Sequence, residues 1–249
     1  MTTGKNNTIV GGLAADALTT GQYNVAIGYG ALTAEDSYGK TVAIGYLALA
    51  TQNASTDTFN VAIGMEAGRE VSTGVQNTLI GGQAGDALTT GGNNTVLGYN
   101  ALSTEDAHGK NVAIGDFSLH TLNAGADGYN TAVGHNAGAA MTTGIQNTII
   151  GGLAGDAITE GQRNVAIGYQ ALSSEDAHGR SVAIGYTSLF SQNAGTDSYN
   201  TAVGYASGIN VTTGVQNTIV GGLAGDALTS GSYNTALGYS SAGAMTIGL

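Results

Sequence analysis

One glycine recurs along the whole chain behind a branched or long aliphatic residue, at positions 11, 28, 45, 64, 81, 98, 115, 134, 151, 168, 185, 204, 221 and 238. The intervals run 17, 17, 19 and 17 residues and then repeat, so four coils make a superperiod of 70 residues. Self-similarity at such a period marks a solenoid, whose repeats bury their apolar faces only against one another. The chain is therefore read as one repeat domain over 1–249, with superrepeats 7–76, 77–146 and 147–216 and a partial fourth at 217–249.

The residues around the glycine say what each coil contains. In all fourteen coils Val, Ile or Leu precedes it, and Val or Thr stands two places earlier, as in Val25, Ile27 and Gly28 or Val165, Ile167 and Gly168. The residue between them is Ala in nine coils and Ile, Leu or Val in five, so this short β-strand is read as apolar on both faces. One face fills the narrow lumen of the coil. The other needs a second apolar surface, most simply further copies of the chain. Three places after the glycine a small residue recurs, Ala31 and Ala171 among them, which predicts a second short strand crossing back over the first.

Four places before the glycine stands Asn in twelve coils, Asn24 and Asn164 included, with Thr41 and Ser181 in the other two. Short amides stacked at one corner can bond the turn backbone and one another from coil to coil. With strands spaced by roughly 4.8 Å, fourteen coils predict an all-β parallel β-roll or β-solenoid on the order of 65 Å long.

Composition fits a packed repeat and excludes several function classes. Glycine makes up 42 of 249 residues, 42% of the chain is hydrophobic, and Pro, Cys and Trp are absent. Six basic residues against a net charge of −11 leave no phosphate-binding footprint, so nucleic acid is excluded as a partner. No run of eighteen apolar residues occurs, so membrane insertion is not expected. Thiolate metal sites are ruled out, and no cofactor is expected.

Polar loops fill the rest of each coil. One reads Glu35-Asp36-Ser37-Tyr38-Gly39-Lys40 and returns as Glu105-Asp106-Ala107-His108-Gly109-Lys110 and Glu175-Asp176-Ala177-His178-Gly179-Arg180. The residues Glu35, Asp36, Tyr38, Glu105, Asp106, His108, Glu175, Asp176 and His178 are the candidate surface recognition set, their carboxylates read as solvated loop charge. Tyr replaces His at position 38, so these histidines read as surface packing and not as metal ligands, and no catalytic residue is assigned. Tyr29, Tyr46, Tyr99, Tyr169, Tyr186, Tyr205 and Tyr239 follow the repeat glycine, a row that either packs between chains or stacks on sugar rings.

The stretch Asn-Val-Ala-Ile-Gly-Tyr-x-Ala-Leu, at 24–32 and 164–172, resembles the head repeat of trimeric autotransporter adhesins of the YadA type. It is also similar to repeats in bacteriophage and cyanophage tail-fibre and appendage proteins. The resemblance spans 7–238 and implies a left-handed parallel β-roll, assembled as a homotrimer, without enzymatic activity. It implies a fibre, spike or decoration component of a virion that contacts a host glycan or protein, or alternatively the head of an adhesin on a bacterial cell surface. The repeat shows no obvious polar cap, so end-to-end contact with another structural protein or a further copy is expected.

Overall fold

The computed structural model describes residues 3–247 and falls into two compact units, 1–128 and 129–249. Every helix or strand among the described residues is a three-residue strand, and each ends immediately before a repeat glycine. In the first unit these are Thr8–Val10 (β1), Val25–Ile27 (β2), Val42–Ile44 (β3), Val61–Ile63 (β4), Thr78–Ile80 (β5), Thr95–Leu97 (β6) and Val112–Ile114 (β7). In the second they are Thr131–Val133 (β8), Thr148–Ile150 (β9), Val165–Ile167 (β10), Val182–Ile184 (β11), Thr201–Val203 (β12), Thr218–Val220 (β13) and Thr235–Leu237 (β14). Within each unit consecutive strands pair in parallel and in register, Val25 with Val42 and Val165 with Val182, so each unit is a parallel β-solenoid.

The rest of each coil differs from the expected second strand. The small residue three places after the glycine is buried, as Ala31 and Ala171 show, but it lies in a run of turns. The residues on either side of it are left-handed in many coils: Leu47 and Leu49 have φ of 52° and 49°, and their counterparts in the third superrepeat, Thr187 and Leu189, both have φ of 49°. Strand backbone needs φ near −120°, so alternate left-handed residues cannot continue a strand. Hydrogen bonds between coils nevertheless persist, with Leu49 N–H donating to Ala67 C=O at 3.0 Å and Leu189 N–H to Ser207 C=O at 3.0 Å.

A third left-handed residue stands five places before each glycine, and the glycine itself has φ between 113° and 142°. At that angle a side chain is barely tolerated. A Cβ on Gly151 would also lie 2.5 Å from the carbonyl oxygen of Gly168 in the next coil. The recurring glycine is thus fixed twice, by its own dihedral and by the coil stacked on it.

The lumen is filled by complementary volumes. In the coils of Ala26 and Ala43, Leu32 and Leu49 supply the bulk four places after the glycine. In the coils of Leu79 and Ile219 the equivalent residues are Gly85 and Gly225, while in the coil of Ala62 the equivalent residue is also a glycine, Gly68. A Cβ on Gly68 would meet Leu79 Cδ1 at 2.5 Å and Leu49 Cδ2 at 3.0 Å, so this glycine makes room for leucines of the coils before and after it. Close packing of this kind leaves no room for added methylenes.

The asparagine corner forms as expected. Asn77 Nδ2 donates to Gly91 C=O at 2.9 Å, while its Oδ1 accepts from Asn94 N–H at 3.0 Å. In the second unit Asn147 donates to Gly161 C=O at 2.9 Å and accepts from Asn164 N–H at 2.9 Å. Each buried amide so satisfies backbone groups that the turns leave unpaired.

The strand face opposite the lumen is only half covered within the chain. Leu97 in β6 remains 45% exposed and Ile150 in β9 37%, although both strands are paired on both sides. The central residues Val96 and Ile149 are fully buried.

Candidate recognition loops

Glu35, Glu105 and Glu175 are not solvated loop charges. All three are fully buried, which removes them from any recognition surface. Counting from the repeat glycine shows why. They stand seven places after it, in the same column as Leu18, Val71, Leu88, Met141, Ile158 and Leu228, all of them buried. A charged residue at a lumen position was legible by aligning coils on the glycine, and reading the loop as one acidic cluster concealed it.

Each buried carboxylate is held by local hydrogen bonds. Glu35 accepts from Tyr38 N–H at 3.0 Å and from Gln52 Nε2 at 3.2 Å. Glu105 accepts from the N–H of His108 at 3.2 Å and of Ala124 at 3.1 Å. Glu175 Oε2 accepts from Gln192 Nε2 at 2.8 Å. Burial pushes the Glu175 carboxyl above the ordinary carboxylate range, with the Gln192 hydrogen bond opposing it.

The interruptions in the asparagine column belong to the same networks. At Thr41 the corner amide is missing, and Gln52 replaces it: its Nε2 donates to Thr41 Oγ1 at 3.1 Å and its Oε1 accepts from Asn60 Nδ2 at 2.9 Å. Gln192 does the same between Ser181 at 2.7 Å and Asn200 at 2.8 Å. In the middle superrepeat Asn111 restores the amide, Leu122 stands where the glutamines were, and Gly128 stands in place of Thr58 and Ser198. A Cβ at Gly128 would lie 2.9 Å from Asn111 Cγ, so the asparagine requires the glycine.

The other loop residues do reach the surface. Tyr38, Asp106 and Asp176 are exposed, and Asp36, His108 and His178 are half-buried. Beside them runs an ion pair in each superrepeat: Lys40 with Asp57 at 2.6 Å, Lys110 with Asp127 at 2.5 Å, and Arg180 with Asp197. The Lys40 hydrogen bond holds the Asp57 carboxyl below its ordinary value, and Lys110 acts likewise on Asp127. Lys40 also lies 5.1 Å from the centre of the Phe59 ring and Arg180 5.4 Å from that of Tyr199.

Around these pairs lie two equivalent depressions. One, about 250 Å³, is lined by Gln22, Tyr23, Tyr38, Gly39, Lys40 and Asp57. The other, about 220 Å³, is lined by Gln162, Arg163, Gly179, Arg180 and Asp197. Both are smaller than the roughly 300–1,000 Å³ typical of small-molecule pockets and suit surface contact better than enclosure.

The row of residues after the repeat glycine is exposed and ordered by stacking. Tyr29 and Tyr46 stack with centroids 5.8 Å apart, and Tyr186 stacks on Tyr169 at 5.6 Å and on Tyr205 at 5.4 Å. His120 packs edge-on against Phe117 and its Nδ1 lies 2.7 Å from Ser103 Oγ. The threonines of the Thr-Thr-Gly turns bond the next coil, Thr19 Oγ1 donating to Asp36 C=O at 2.9 Å. No described helix is long and apolar enough to cross a membrane. Comparison with family models, curated proteins and solved structures finds no match.

Proposed function

We propose that the chain is a non-enzymatic structural protein, a left-handed homotrimeric fibre, spike or decoration component of a virion that contacts the host surface. The observation that carries this reading is the uncovered apolar face of the strands. A residue such as Leu97, 45% exposed between two paired strands, is one of a column of aliphatics that a solitary chain leaves against water. Association of three copies around these columns buries them, and the adjoining tyrosine row then flanks the interface. The lumen is packed with buried aliphatics such as Leu79 and Ile149, which supports a mechanical role.

Host contact falls to Asp36, Tyr38, Asp106, His108, Asp176 and His178, which recur at the same place in successive superrepeats. Repetition gives many weak contacts a combined avidity. The partner is a glycan or protein of the host surface.

Size-exclusion chromatography with light scattering tests the assembly. Three copies of a 24.6 kDa chain give a mass of about 74 kDa, and a stable species of one chain's mass at micromolar concentration rejects the trimer. The resemblance to adhesin heads supports a second reading, display on a bacterial cell surface. Immunogold labelling separates the two: gold on virions supports the first, and gold confined to the bacterial envelope replaces it with the second.

A further inference from the structure

We propose that the loops Glu105-Asp106-Ala107-His108 and Glu175-Asp176-Ala177-His178 each bind one divalent transition-metal ion, through the His Nδ1 and one oxygen from each carboxylate. In both loops a ring nitrogen of the histidine and one oxygen of each carboxylate lie within 4.8 Å of one another. The inference concerns these two loops alone and does not depend on the virion reading.

Two observations beyond proximity point to a ligand. In the Glu175 loop the glutamate is fully buried, its Oε2 is held by Gln192, and its Oε1 lacks a hydrogen bond of ordinary geometry although the His178 N–H acts on the carboxylate. In the Glu105 loop both glutamate oxygens already accept from backbone N–H groups, so the unpartnered group there is the His108 Nδ1 alone. The Nδ1 atoms of His108 and His178 are also buried without a hydrogen-bond partner. His108 Nδ1 stands 3.6 Å from Glu105 Oε1, beyond hydrogen-bond range. Ligands around a tetrahedral ion at about 2.1 Å are separated by about 3.4 Å, so a small closure of the side chains completes the set. A buried polar atom without a partner calls for an explanation, and an ion held between these groups supplies one.

The ligand types select the ion. One imidazole nitrogen with two carboxylate oxygens favours zinc, nickel or copper over calcium, which takes six to eight oxygens. Water completes the coordination on the exposed side, where Asp106 and Asp176 lie. The backbone places the groups without help from the metal, because the buried glutamate is anchored in the lumen and the histidine N–H already donates to it in the Glu105 loop. The first superrepeat is a natural control: Tyr38 replaces the histidine while Glu35 and Asp36 remain.

Isothermal titration of the full chain with zinc chloride, repeated with nickel and in excess calcium, tests the assignment. The expected result is two zinc ions per chain, one in His178→Tyr, none in His108→Tyr/His178→Tyr, and three in Tyr38→His. Tyrosine already occupies this place in the first loop, so the loss variants should keep the wild-type circular dichroism. Tyr38→His decides the matter independently, by gain of a site, if a loss variant fails to fold. Stoichiometry unchanged in the double tyrosine variant, no third site in Tyr38→His, or displacement of zinc by equimolar calcium would each overturn the proposal.

Discussion

Gly151→Ala should destabilise the second unit by about 2–6 kcal/mol, a cost set by two separate features of the coil. Gly151 has φ of 133°, and forcing a Cβ-bearing residue there costs about 1–3 kcal/mol. The added methyl would also stand 2.5 Å from the carbonyl oxygen and 2.6 Å from the carbonyl carbon of Gly168, both backbone atoms of the next coil. Relieving that overlap means separating two stacked coils, at about 1–3 kcal/mol more by analogy with overpacked cores. Gly195→Ala is the matched control. Its φ is 66° and nothing lies within 4 Å of the new Cβ, so only the left-handed penalty of about 1–2 kcal/mol applies, partly offset through the unfolded state. Guanidinium unfolding followed by far-ultraviolet circular dichroism, at one fixed chain concentration, measures both variants. A midpoint for Gly151→Ala equal to or above that of Gly195→Ala would refute the argument that stacking of coils fixes this glycine.

Three further outcomes follow from the buried networks and the loop pairs. Asn77→Ala orphans the Gly91 carbonyl and the Asn94 N–H at a buried corner and should cost about 2–4 kcal/mol in the same unfolding assay. Gly128→Ala should destabilise through its clash with Asn111, whereas the triple change Asn111→Thr, Leu122→Gln, Gly128→Thr, which installs the Thr41, Gln52 and Thr58 arrangement, should recover most of the loss; a triple variant worse than the single one rejects the coupling. Lys40→Met should cost at most about 1 kcal/mol at neutral pH, because its pair with Asp57 is more than a third exposed on both sides. Since Lys40 lowers the Asp57 pKa, that contribution is full above the ordinary carboxylate value and disappears as pH falls through the folded one, so unfolding midpoints of wild type and variant should converge in acid.

Much of the coil was open to inspection in the chain itself. A glycine at fixed intervals, a Val or Thr and an aliphatic on alternate sides of a small residue, and an asparagine four places ahead specify stacked parallel strands with an amide corner, and those are the elements that form. Period and polarity suffice there because neighbouring coils present identical partners, so one coil's requirements are every coil's. The buried glutamates were legible too, but only through the column they share with Leu18 and Val71, since local composition makes Glu-Asp look like a solvent loop.

What the chain alone determines, then, is the repeat: its length, its strand positions and its charge-free strands, because these are properties of spacing and side-chain type, whereas which strand face fills the lumen came from the structure. Tertiary structure decided the rest. Whether Ala31 sits in a strand or a turn depended on left-handed backbone at Leu32, which no leucine announces and only close packing of successive coils enforces. Which partners hold the buried carboxylates was decided there as well: Gln52 and Gln192 reach Glu35 and Glu175, whereas Glu105 takes the Ala124 N–H, because the contacts are set by how the turns of successive coils stack.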